Sequence, residues 1–82
     1  MGDKPKAVPA RVKSSTELGN VVREARKKAA LDQETTADLV GVGARFLGEL
    51  ERGKPSVRLE LVLKVLERLG LEVWVSPRGW KP

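Results

Sequence analysis

Leu31-Asp32-Gln33-Glu34-Thr35-Thr36-Ala37-Asp38-Leu39-Val40-Gly41-Val42-Gly43-Ala44-Arg45-Phe46-Leu47-Gly48-Glu49-Leu50-Glu51-Arg52-Gly53-Lys54 reads as two short helices joined by a tight turn. Asp32 is a good N-cap, because its carboxylate can accept from the free N–H groups of the next turn. Gln33 then takes the first helical position, and the helix runs to about Val40. Gly41 supplies the left-handed residue that stops it. A second helix covers about Ala44 to Arg52 and ends at Gly53. Ala37 is small enough to let the two helices approach. Leu39, Val40, Val42, Leu47 and Leu50 are the apolar positions expected to hold the corner. Helices of about eight residues are not stable alone, so the flanking chain must pack against them.

Upstream, Ser14 and Glu17 have the spacing of a capping box. Leu18, Val21, Val22, Ala25 and Ala29 follow at helical spacing and form a stripe to bury. Arg23, Glu24, Arg26, Lys27 and Lys28 take the other side. The last three suit a solvated helix C-terminus, or a backbone contact. Residues 1–13 carry Lys4, Lys6, Arg11, Lys13, Pro5 and Pro9 with little to bury, and read as a flexible basic tail. That tail is either a solvated leader or an arm that touches phosphate or a minor groove.

Downstream, Lys54-Pro55-Ser56 is a connector with Ser56 as N-cap, and a helix is expected from Val57 to about Leu69. Leu59, Val62, Leu63 and Leu66 share one face. Leu61, Val65 and Leu69 widen it to an arc of about 200°, against the ~100° a surface helix needs. The surplus calls for a second apolar surface. Leu71-Glu72-Val73-Trp74-Val75 alternates and is rich in β-formers, so residues 71–76 read as a strand. A lone strand has unpaired backbone groups on both edges. Pairing with the same strand of a second copy, across a two-fold axis, satisfies it; an extended tail held down by Trp74 is the other possibility. The dimerisation set is therefore Leu61, Val65, Leu69, Leu71, Val73, Trp74 and Val75. Residues 77–82 remain as a tail in which Trp80 has no assigned role.

Eighty-two residues make one domain. A chain this short buries only about 60–65 % of its unfolded surface. With no Cys and no His, disulfides, the usual zinc sites and imidazole acid–base chemistry lack their groups. No nucleophile–base pair, glycine-rich phosphate loop or metal-ligand cluster stands out, so an enzyme, a metal and a cofactor are not expected. No apolar run approaches the roughly 20 residues of a membrane span. The charged start is not a signal peptide, and a cytoplasmic location is expected. Net charge is +5 and the isoelectric point about 10. That suits an anionic partner, most simply nucleic acid, although many small basic proteins are charged for solubility alone.

The central spacing resembles the helix-turn-helix of Cro/C1-type (XRE) repressors. Gln33 opens the first helix, Ala37 lies inside it, Gly41-Val42 makes the turn, and Leu50-Glu51-Arg52-Gly53-Lys54 closes the second. The resemblance runs from about Leu18 to Leu69. The family usually has Leu where Thr36 stands, and Ser or Thr where Gly43 caps the second helix. It implies a mainly α, lambda-repressor-like domain of four helices over residues 14–70. With the strand that follows, the chain looks like the HipB-type antitoxins of bacterial toxin–antitoxin pairs. That likeness implies a dimer that represses its own operon and binds a HipA-type kinase toxin. A stand-alone or phage-type repressor, and an antitoxin whose DNA contact is secondary, are the competing readings.

In such a family the second helix lies in the major groove of double-stranded DNA with its N-terminal residues nearest the bases. Carried over, these are Gly43, Ala44, Arg45, Gly48 and Glu49. Arg45 leads, because a guanidinium can give paired hydrogen bonds to guanine O6 and N7. Ala44 could touch a thymine methyl. Glu49 could orient Arg45 or accept from a cytosine amino group, or form an ordinary surface ion pair with it. Phe46 is read as core. Gly48 suggests close approach of the helix to the duplex. Gln33 at a helix N-terminus, with Arg52 and Lys54, would hold phosphates; Arg52 could instead pair with Glu51 or Glu49. Two copies would read a palindromic operator at a spacing of about one DNA turn.

Overall fold

Ser14 and Asp32 decide where the first two helices start. In the computed structural model, which describes residues 9–79, α1 is Ser15–Lys28 and α2 is Gln33–Val40. They are followed by α3 (Ala44–Glu51) and α4 (Leu59–Arg68). The Ser14 hydroxyl accepts from the Glu17 N–H at 3.1 Å. The Glu17 carboxylate reaches back to the Lys13 N–H, one residue beyond a standard capping box. The Asp32 carboxylate accepts from the Thr35 N–H at 2.7 Å. Between these helices Ala30 turns the chain with a positive φ of 59°, a conformation for which glycine would be the usual residue.

Gly41 ends α2 in the left-handed region, at φ 84°, as its residue type foretells. Its carbonyl accepts from Lys64 Nζ at 3.1 Å, which ties α4 to the turn. α1 lies against α3, α3 against α2, and α2 meets α4. The closest approach is at Gly19: a β-carbon there would collide with the carbonyl oxygens of Leu50 and Glu51. Without a side chain at Gly19, α1 can sit directly on the C-terminal end of α3.

Val22, Ala37, Val40, Leu47, Leu50, Val62, Val65 and Leu66 form one core, with Leu18, Val42, Phe46, Leu69 and Leu71 packed around it. Burying this set on a shared interior is what short helices need to persist. Thr36 also lies in the core, and its hydroxyl has no hydrogen-bond partner. Leu39 does not hold the corner; it is exposed on α2. Ala29 is likewise exposed. In α1 Val22 is buried as expected, Leu18, Val21 and Ala25 are half-buried, and Gly19 and Arg26 join the inward face.

α4 starts two residues later than its apolar pattern suggests. Arg58 is its N-cap position and Ser56 caps nothing. The wide apolar arc is present, but distributed differently. Val65, expected on a dimerisation face, is instead fully buried in the core of the chain; Leu61 and Leu69 are half-buried. The surplus is Leu59 and Leu63, which remain exposed. After α4, the Leu71 N–H returns to the Leu66 carbonyl at 2.8 Å. Beyond it Val73, Trp74 and Val75 are exposed, and among the described residues there is no strand. A single copy offers residues 71–76 no neighbouring edge to pair with. Most of the basic tail, Met1–Val8, and Trp80 lie outside the described residues.

Candidate nucleic-acid interface

α3 divides its residues by angle. Turning about 100° per residue, it sends Leu47, Leu50 and Glu51 inward and Arg45 and Glu49 outward; Ala44 is in phase with Glu51 and is exposed because it is the first residue of the helix. Gly43 precedes it with extended backbone and no side-chain bond to the first helical N–H groups. Open N–H groups and the positive end of the helix dipole therefore point outward beside Arg45. The Arg45 side chain is 91 % exposed, with Nε 3.4 Å from Glu49 Oε2. Lys54 Nζ stands 3.4 Å from the same oxygen. For the Glu49 carboxyl, partial burial opposes ionisation, but the bonds from Lys54 and Arg45 outweigh it and hold its pKa below the usual range. The structure thus brings Arg45, Glu49 and Lys54 together at one end of the molecule.

Gln33 and Arg52 meet elsewhere, over Gly48. A β-carbon on Gly48 would lie 3.2 Å from Arg52 Nη1 and 3.4 Å from Gln33 Oε1. Gly48 is buried beneath these two side chains and does not stand on the outward face with Arg45. Its missing side chain makes room for its neighbours and not for the edge of a base. Gln33 Nε2 donates inward, to Glu51 Oε1 at 3.0 Å, and does not point at solvent where a phosphate would sit. Among the described residues Arg52 forms no ion pair: Glu51 and Glu49 have other partners.

Two helices crossing at a glycine-stopped turn, with an exposed arginine on the first turn of the second and Arg52 and Lys54 just beyond its end, are the geometry of a DNA-reading unit. Residues 22–73 match the helix-turn-helix family HTH_3. The chain belongs to this family, the Cro/C1 (XRE) type of DNA-binding transcriptional regulator. The XRE-type chain is 41 % identical over 69 residues to an uncharacterised HTH-type transcriptional regulator, y4mF of Sinorhizobium fredii, a match spanning 84 % of this chain and 91 % of the relative. Among solved structures, the restriction-modification controller protein C.AhdI from Aeromonas hydrophila is 36 % identical with a TM-score of 0.62, covering 71 % of this chain and 84 % of that one. A HipB–O4 20mer complex superposes with a TM-score of 0.75 at 20 % identity, covering 84 % and 97 %. The HipB likeness, at that identity, is one of fold.

Behind the outer face of this XRE domain lies a network that its charge pattern alone does not announce. Arg26 does not lie on a solvated face. Its Nε and Nη2 grip the two oxygens of Glu51 at 2.7 and 2.9 Å, and its Nη1 donates to the Leu31 carbonyl at 2.8 Å. With Gln33 on the same carboxylate, one buried anion joins α1, the start of α2 and the end of α3. Burial opposes the Glu51 charge, but the bonds from Arg26 and Gln33 prevail and its pKa is lowered. The bond from Glu51 raises the Arg26 pKa in turn. Helical phase holds the missed signal. Arg26 is in step with Gly19 and Val22, and Glu51 is in step with Leu47 and Leu50, so both charges fall on inward faces.

Proposed function

We propose that this chain is a sequence-specific repressor that binds a palindromic operator as a homodimer, and is the cytoplasmic antitoxin of a HipA-type kinase toxin. Residues 14–70 are the DNA-binding domain, 71–76 the strand that pairs across the dimer, and 1–13 and 77–82 the tails. The observation that carries the DNA reading is the 91 % exposed Arg45 on the first turn of α3. Ala44 and Glu49 flank it in the groove. Arg52, Lys54 and the free N–H groups at the start of α2 hold the phosphate backbone.

The second copy is argued from what one copy leaves uncovered. Leu59 and Leu63 on α4, with Val73, Trp74 and Val75 beyond it, are 46–94 % exposed. All of them except Val75 flank one groove along α1 and α4 that also takes in Leu69 and Leu71. A twin seated there covers them and gives residues 71–76 an edge. The toxin reading is supported by the fold of HipB, which has been solved in a HipA–HipB–O2–O3 complex. The higher identity to the controller protein C.AhdI favours a second reading, a regulator that works with no toxin.

Gel shift against the region upstream of the gene, across a salt series, tests the DNA reading. A shift that weakens steeply with salt is expected; no shift, or one insensitive to salt, refutes it. Mass in solution tests the dimer, and a monomer at micromolar concentration refutes it. Co-purification with the product of a neighbouring kinase-like gene separates the antitoxin from the toxin-free regulator.

A further inference from the structure

Arg45 sits where helix physics does not want it. A cation in the first turn faces the positive end of the helix dipole, and α3 has no acidic residue there to offset it. An arginine placed four residues before a glutamate is also the weaker order for a helical ion pair. An exposed pair of this kind adds little to stability. Yet the pair is built with care on the Glu49 side. That carboxylate is only 20 % exposed, and Lys54 Nζ holds the same oxygen that Arg45 Nε approaches, each at 3.4 Å.

The atom that Glu49 engages matters. A guanidinium has five N–H groups in a fixed fork. The Nε–H is the one turned to Glu49, and neither terminal nitrogen of Arg45 has a partner among the described residues. The end of the fork is therefore available as a parallel pair of donors, and guanine presents the matching pair of acceptors, O6 and N7. Both cations engage Oε2 of this carboxylate, and the Glu49 side chain is far less exposed than that of Arg45, so it is set back from the base edges that Arg45 can reach. It also discourages Arg45 from folding back onto the α3 backbone or swinging to a phosphate.

Building on the repressor reading, we propose that Glu49 is a positioning residue and not a base reader: anchored by Lys54, it aims Arg45 end-on at one guanine in each half-site. The operator class is thereby narrowed to inverted repeats carrying a guanine under each recognition helix.

Selection of bound duplex from a random pool, with wild type, R45A, E49A and E49Q, tests this, with circular dichroism confirming that each variant is folded. Wild type should enrich one guanine per half-site, and R45A should lose that position alone. E49A should flatten the same guanine preference by about tenfold, the scale of one bidentate base contact. E49Q keeps an acceptor for Nε and should restore most of it. An E49A pool as sharp at guanine as wild type overturns the inference, and so does an E49A pool that instead loses a cytosine. A wild-type pool with a clear consensus but no Arg45-dependent guanine overturns it while leaving the repressor reading intact. A wild-type pool with no consensus at all overturns both.

Discussion

Replacing Arg26 by Ala is the sharpest probe of what holds α3 in place. The change leaves the Glu51 carboxylate, whose side chain is 2 % exposed, without its two short bonds from the guanidinium. Only the Gln33 amide would still donate to it. Removing one partner of a buried ion pair costs about 3–5 kcal/mol, because the remaining charge is stranded out of water. A small domain has only about 5–15 kcal/mol in total, and each kcal/mol moves the melting temperature by about 4–8 °C at this size. R26A should therefore melt at least about 12 °C below wild type. The assay is thermal and urea unfolding followed by circular dichroism, at one fixed protein concentration so that association does not confound it. The double variant R26M/E51L removes both charges and should recover most of the loss. An R26A protein within about 1 kcal/mol of wild type, the range of an exposed pair, would refute the reasoning.

Other outcomes follow from single residues. Thr36→Val removes a buried hydroxyl that has no partner, and should stabilise by about 1–2 kcal/mol in urea unfolding. Ala30→Gly relieves a left-handed backbone at φ 59° and, after the greater freedom of unfolded glycine is counted, should gain about 0.5–1 kcal/mol in the same assay. The lowered pKa of Glu51 makes its contribution fully present above the unfolded glutamate value, about 4.3, and lost as pH falls through the lower folded value. Stability measured from pH 6 to pH 3 should thus decline, and the decline should be shallower in E51Q. Arg52→Ala should weaken binding to all duplexes alike and lower the salt slope by about one, read by fluorescence anisotropy across a salt series.

The helix-turn-helix was legible because local signals agree with one another. Asp32 as cap, Ala37 at the crossing and Gly41 at the stop are each dictated by geometry within a few residues, and each lies where its type demands. The four-helix count follows from the same logic. What escaped is less local. The start of α4 depends on where Val62 and Val65 meet the core, and this tertiary demand overrides the Ser56 cap. Leu39 is apolar and adjacent to Val40, but the helix turns it to solvent. Arg26 and Glu51 are charged, and composition assigns charges to the surface, so only their phase on two separate helices reveals that they meet. Of the α3 residues expected at the outer face, Arg45 and Glu49 lie where their positions on the helix put them, whereas Gly48 is covered by side chains that no pattern within α3 could foresee.

The angular division of α3 has an evolutionary corollary. Leu47, Leu50 and Glu51 carry the fit to the rest of the protein, while Ala44 and Arg45 touch nothing the fold needs. On the proposed function, recognition drifts to a new operator by exchanging two or three outward side chains, with no accompanying repair of the interior. Descendants of one such gene could diverge in the promoters they govern while sharing an unaltered chassis.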